Sequence, residues 1–228
     1  MTDFRDRIQE EIHMRDLIIE EIRKRKIIAI VRGVESSVCM KVADALYEGG
    51  IRLMEITYDQ KHSESWEATA GAIGDISAKY EGRMFVGAGT VVNTAQVALT
   101  FKYGGKFIIS PNTNAEVIGE TRRLGMVSIP GAMTPTEILA AHDAGADFVK
   151  LFPASELGIG YLKAIRGPIS HVELLATGGI GEGNAKTFLE AGAVGLGVGG
   201  SLANKKVIEA GEFGKLTETA RALIAAIS

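Results

Sequence analysis

From Ile27 onward the chain alternates short apolar runs with longer amphipathic stretches. The runs are IIAIVR (27–32), IRLMEIT (51–57), RMFVGAG (83–89), KFIIS (106–110), MVSIP (126–130), DFVKLF (147–152), VELLAT (172–177) and AVGLGVG (193–199). The stretches between them open at capping residues and often stop at glycine. Ser36 or Ser37 opens one that stops at Gly49-Gly50, and Asn93 or Thr94 one that stops at Gly104-Gly105. Asn114 opens a third, ending at Gly125, and Thr134 a fourth, ending at Gly145. Pro135 in the first helical position and Glu137 three residues after Thr134 predict a capping box there. Eight strands alternating with helices, about 20 to 25 residues per unit, predict an α/β fold of the (β/α)₈ TIM-barrel type. An open doubly wound sheet is the alternative; against it, no GxGxxG follows the first strand. Upstream, Phe4, Ile8, Ile12, Ile18, Ile19 and Ile22 recur at near-helical spacing and predict an extra N-terminal helix from Phe4 to Arg25. The expected organisation is a helix over residues 1–26 packing on one end of a single barrel domain over 27–228.

In such a barrel the functional residues lie where the strands end. In DFVKLF, Phe148, Lys150 and Phe152 share one face, so Lys150 is carried on an apolar strand that Pro153 should terminate. Two readings stand at this stage: a lysine that extends its ammonium to water, or one kept partly neutral to act as a nucleophile. Glu55 alternates inward with Leu53 on strand 2, either as a structural ion-pair partner of Lys150 or Arg32 or as a general acid/base. Arg32 follows Ile28 and Ile30 and points into the barrel mouth, paired with a neighbouring acid or offered to a carboxylate or phosphate. Strand 7 runs into Thr177-Gly178-Gly179 and strand 8 into Gly199-Gly200-Ser201, each read as followed by a helix. Glycine-rich turns ahead of helix N-termini in these positions predict a phosphate site; the alternative is that they are tight packing turns.

Composition narrows the partners. The chain of 228 residues has a formal net charge of −3, which favours neither nucleic acid nor an anionic membrane. Nothing in it approaches the roughly 18 consecutive apolar residues of a membrane span, and the charged N-terminus has no apolar signal core. A single cysteine, Cys39, fits a reducing cytoplasm. The four histidines form no metal-binding spacing, so no metal is expected.

Taken together, AIVRG (29–33), GGIRLMEIT (49–57), VGAGTV (86–91), ISP (109–111), IPGAMTPTE (129–137), VKLFPA (149–154), ATGGI (176–180) and VGGSL (198–202) resemble the 2-keto-3-deoxy-6-phosphogluconate / 4-hydroxy-2-oxoglutarate aldolase family. The resemblance implies a homotrimeric barrel that needs no cofactor beyond its own lysine and cleaves a phosphorylated keto acid to pyruvate and glyceraldehyde 3-phosphate. It places Lys150 as the Schiff-base lysine and Glu55 as the general acid/base. It places Thr90, Pro111, Phe152 and Thr177 at the pyruvate end, and Gly178, Gly179, Gly200 and Ser201 at the phosphate end. Many members carry an arginine shortly after the catalytic Glu; here Asp59 stands in that position, and Arg32 is expected to hold the carboxylate instead. The phosphogalactonate epimer is an alternative substrate. The competing functions are a phosphosugar isomerase or epimerase and a non-catalytic sugar-phosphate-binding barrel, neither of which forms a covalent adduct with pyruvate.

Overall fold

The computed structural model describes the backbone of residues 2–228 and the side chains from His13 onward. Phe4, Ile8 and Ile12 of the predicted helix fall outside the described side chains. The strands are β1 (Ile27–Val31), β2 (Leu53–Thr57), β3 (Phe85–Gly89), β4 (Phe107–Ile109), β5 (Val127–Ile129), β6 (Gly131–Ala132), β7 (Val149–Leu151), β8 (Leu174–Thr177) and β9 (Gly195–Val198). All pair in parallel, in the order β5-β4-β3-β2-β1-β9-β8-β7-β6. Nine strands make eight staves, because β5 and β6 are one run interrupted at Pro130, which has no N–H for the ladder. That run also closes the ring. The N–H of Ser110 bonds to Ile129 on one side, while Phe148 donates to Ser128 and Lys150 to Pro130 on the other. The structure is therefore the expected barrel.

The period-2 alternation sorts the side chains as the strand geometry requires. Ile28, Leu53, Phe85, Phe107, Val127, Phe148 and Leu175 fill the interior, and Ala29, Met54, Val86, Val149 and Ala176 pack outward against the helices. The helices are α1 (Thr2–Arg25), α2 (Ser36–Glu48), α3 (Trp66–Lys79), α4 (Thr94–Lys102), α5 (Ala115–Arg123), α6 (Pro135–Asp143), α7 (Ala154–Arg166), α8 (Ala185–Glu190), α9 (Lys205–Glu209) and α10 (Phe213–Ile227). Asn93 and Asn114 accept N–H bonds from the first turns of α4 and α5, and Thr134 with Glu137 forms the capping box of α6. The expectation for Ser36 or Ser37 is corrected. Both lie inside α2, and the residue before them, Glu35, makes no capping bond with its side chain.

α1 seals the barrel end opposite the strands' C-termini. Ile18 and Ile22 join the interior cluster beneath Phe85, Phe107 and Phe148. Polar contacts hold the helix in register: Arg15 donates to Asp147, which also receives Arg122 and the Ser128 N–H, and Arg23 donates to Glu173 at 2.6 Å. The opposite end, above Lys150 and Glu55, carries the open cavity that Lys150 lines. Among the described residues no helix is long and apolar enough to cross a membrane.

Candidate active site

Lys150 lies at the middle of β7, and its side chain points along the barrel axis toward the mouth. It is 4% exposed, so its amine does not reach solvent in the way a snorkelling lysine would. Glu55, at the middle of β2, is wholly buried, and neither carboxyl oxygen has a hydrogen-bond partner among the described residues. The two groups are therefore neighbours without a direct ion pair. They face each other across a small void that Thr177, Ile30 and Gly197 also line.

Two inward glycines create the space for this chemistry. A Cβ on Gly89 would lie 2.4 Å from Glu55 Oε1, and one on Gly197 would lie 2.4 Å from Thr177 Oγ1. Any side chain at either position would occupy the volume that the acid or the hydroxyl now uses. Gly89→Ala is accordingly expected to cost about 1–3 kcal/mol of stability by overpacking, read as a lower urea midpoint. Unchanged stability would show that Glu55 does not hold the position described.

Burial sets the electrostatics. Loss of water pushes the Glu55 carboxyl up from 4.5 to about 7, while Lys150 and Arg32 pull it partway back. Burial likewise lowers the Lys150 amine from its ordinary value; Glu55 opposes that shift and Arg32 adds to it. Both shifts favour the uncharged forms. The pair can thus supply a neutral amine and a carboxyl group near the midpoint of its titration, the states needed by a nucleophile and a proton shuttle.

Above the pair opens a cavity of about 570 Å³. Arg32, Lys150, Phe152 and Thr177 line its deep end, and Gly178, Gly179, Gly199, Gly200 and Ser201 its far end. Phe152 stacks its ring 4.9 Å from Lys150 Nζ. The far end differs from expectation in one respect. α8 starts only at Ala185 and α9 only at Lys205, so neither glycine turn opens directly onto a helix N-terminus. The turns instead offer their own backbone. The N–H groups of Gly179, Ile180, Gly200 and Ser201 find no acceptor among the described residues, so the turns form a cradle whose donors are free to receive an anion. Two side chains shape it, and sequence reasoning had singled out only one. Ser201 Oγ donates to the Ile180 carbonyl and ties the turns together. Asn184 brackets the first turn, donating to the Gly179 carbonyl and accepting from the Gly181 N–H, both at 2.9 Å.

Thr90 lies outside this cavity, in an adjoining cleft of about 860 Å³ that shares Arg32 and includes Thr57 and Asp59. Pro111 lines neither space; its carbonyl instead abuts Gly131, where a Cβ would meet it at 2.5 Å. Asp59 is engaged in its own loop. It accepts the Lys61 N–H on its side chain and the Trp66 indole N–H on its carbonyl. Arg32 is thus the cation shared by both spaces.

Comparison with known proteins agrees with this arrangement. The family model of KDPG and KHG aldolase matches residues 18–219. This chain belongs to that family. It is 34% identical over 180 residues to the 2-dehydro-3-deoxy-6-phosphogalactonate aldolase of Escherichia coli, covering 78% of this chain and 85% of that one. It is 35% identical over 196 residues to the KHG/KDPG aldolase of the same organism, covering 85% and 87%. Among solved structures, KDPG aldolase from Legionella pneumophila, with pyruvate captured as a covalent carbinolamine, superposes with a TM-score of 0.78 at 26% identity, covering 87% and 94%. The protein is an aldolase, and so a lyase, on a TIM-barrel fold.

Proposed function

We propose that this aldolase cleaves 2-keto-3-deoxy-6-phosphogluconate to pyruvate and glyceraldehyde 3-phosphate through a Schiff base on Lys150. The observation that carries the reading is the buried amine of Lys150, held toward its neutral form and facing a carboxyl group that titrates at about 7. The neutral amine attacks the C2 ketone, and the carbinolamine loses water to give an iminium. Breaking C3–C4 sends its electron pair into the iminium nitrogen and leaves an enamine of pyruvate, while the C4 hydroxyl proton passes to Glu55 directly or through one water. Glu55 then returns a proton to the enamine carbon, and hydrolysis of the new iminium frees pyruvate and Lys150. Arg32 and Thr177 hold the carboxylate, Phe152 walls the pyruvate end, and the cradle at Gly179 and Ser201 holds the phosphate. Binding of that remote phosphate positions the scissile bond over Lys150.

The Legionella protein, in which pyruvate is captured as a carbinolamine, supports the covalent route. A second reading is cleavage of the galactonate-derived substrate, favoured by the 34% identity to the phosphogalactonate aldolase. The two substrates differ only at the C4 stereocentre and give the same products, so the residues above serve either. 4-Hydroxy-2-oxoglutarate, which lacks the phosphate, would use the pyruvate end alone and forgo the cradle.

Borohydride reduction in the presence of pyruvate, followed by peptide mass mapping, tests the chemistry. A stable adduct on Lys150 is expected; its absence, or its location on another lysine, would overturn the mechanism. Turnover of the two phospho-keto acids side by side, coupled to lactate dehydrogenase, then decides the substrate.

A further inference from the structure

Two amide side chains outside the residues assigned above form a hydrogen-bonded chain that ends on the Thr90 carbonyl. Gln60 Nε2 donates to the Thr90 carbonyl at 2.6 Å, and Gln60 Oε1 accepts from Gln96 Nε2 at 3.1 Å. Gln96 Oε1 in turn accepts the Val92 N–H at 2.9 Å. Gln96 has no exposed surface at all. A primary amide buried on the inner face of α4 must find partners for its donors and its acceptor. Here it links the loop after β2 to the turn after β3.

What these bonds hold is an unusual backbone. Thr90 has φ of +58°, in the left-handed region. A β-branched residue there is a genuine outlier and persists only where its surroundings over-determine it. The conformation also changes where Thr90 points. Gly89 faces inward against Glu55, so the next residue of an extended strand would face outward, toward the helices. The left-handed turn instead brings Thr90 into the cleft it shares with Arg32 and Thr57. The outlier thus directly follows the glycine that abuts Glu55, in the cleft that also holds the cation assigned to the carboxylate.

We propose that Gln60 and Gln96 are positioning residues, which hold Thr90 left-handed so that its hydroxyl, with Arg32, receives the substrate carboxylate. This rests on the reading of Lys150 and Arg32 given above, and two measurements keep the two ideas separable. The first is the pyruvate concentration dependence of borohydride trapping in the full-length chain. Gln60→Ala is expected to raise half-saturating pyruvate about tenfold, the size of a left-handed preference in a branched residue, with the limiting rate within about twofold. Asparagine tolerates the left-handed region, so in a Thr90→Asn background the same Gln60→Ala change is expected to matter less than about threefold. Equal effects in the two backgrounds, an unchanged half-saturation, or a loss confined to the limiting rate would overturn the proposal. The second is a crystal structure of Gln60→Ala, in which Thr90 is expected to leave positive φ; retention of the left-handed turn would overturn the proposal whatever the trapping shows. Absence of trapping in the unaltered protein would count against the lysine mechanism, while this crystal structure would still decide the role of Gln60. Gln60 lies at the surface, so its truncation leaves the core intact; Gln96→Ala, in the interior, is the corroborating variant.

Discussion

Lys150→Met is expected to remove aldol cleavage to below about 10⁻⁴ of the unaltered rate and to abolish pyruvate trapping, because no other group supplies the electron sink for C3–C4 cleavage. Methionine fills nearly the same volume as the lysine stem, so the barrel interior stays packed and the loss reports chemistry rather than collapse. Glu55→Gln divides the roles. It leaves the amine in place but removes the proton carrier, and kcat is expected to fall by about 10²–10⁴ while a slow adduct on Lys150 still forms. Adduct formation at the full rate in Glu55→Gln would remove the carboxyl from carbinolamine dehydration. Trapping in Lys150→Met at another lysine would move the nucleophile altogether. The profile of kcat/KM against pH for the unaltered protein should show an inflection near 7, where the Glu55 carboxyl titrates.

The same Lys150→Met variant is expected to be more stable than the active protein by about 1–3 kcal/mol at pH 7, since an apolar side chain replaces a group that burial disfavours. The sign follows from proton counts. Between the lowered pKa of folded Lys150 and the ordinary value of 10.5, the unfolded lysine carries a proton that the folded one has released. Stability of the unaltered protein therefore rises with pH through that window, and the handicap relative to methionine disappears near 10.5. Glu55 by itself acts in the opposite direction, lowering stability as pH rises. Its carboxyl is raised from 4.5 to about 7, so folding binds a proton in that window and the penalty is complete above it. Without Lys150 to draw it down, the carboxyl titrates higher still, and the variant carries a growing penalty as the solution becomes alkaline. The advantage of Lys150→Met should thus be largest near neutrality and shrink steadily toward pH 10, read from urea midpoints across that range. A variant less stable than the active protein at pH 7 would mean that the lysine is not held against its preference for charge.

These two expectations belong together. A lysine that reacts at neutral pH must be stripped of water, and the protein gives up folding stability to keep it so. The sealed end beneath the site serves the same purpose. Ile18 and Ile22 of α1 fill the interior below the layer that holds Glu55 and Lys150 and add apolar cover beneath the pair.

Much of this was legible in the residues alone, for a local reason. Strand alternation has a period of two, so the inward orientation of Glu55 beside Leu53, and of Lys150 between Phe148 and Phe152, follows from a few neighbouring residues. The glycine stops and the Thr134–Glu137 capping box are likewise local, and together with the eight apolar runs they mark out eight βα units. Other features needed the fold, because they depend on what lies across the barrel. That Gly89 and Gly197 face inward could be counted along the strand; that Glu55 and Thr177 occupy the space left by their missing side chains could not. The glycine turns at 178–179 and 199–201 were expected at helix starts, but loops intervene before α8 and α9, and backbone N–H groups bracketed by Asn184 and Ser201 form the cradle. Gln96 left a faint trace, a polar residue on the buried face of α4, yet its meaning comes from Gln60 and from the left-handed turn at Thr90, both on other segments. The protonation of Lys150 is the clearest case. Its chemistry depends on desolvation, which is a property of everything packed around an atom. The sequence by itself determined the barrel and which residues face its axis, because those are set by local periodicity. Only the tertiary structure decided which of them are deprived of water and left without partners, because burial is the sum of contacts from distant parts of the chain.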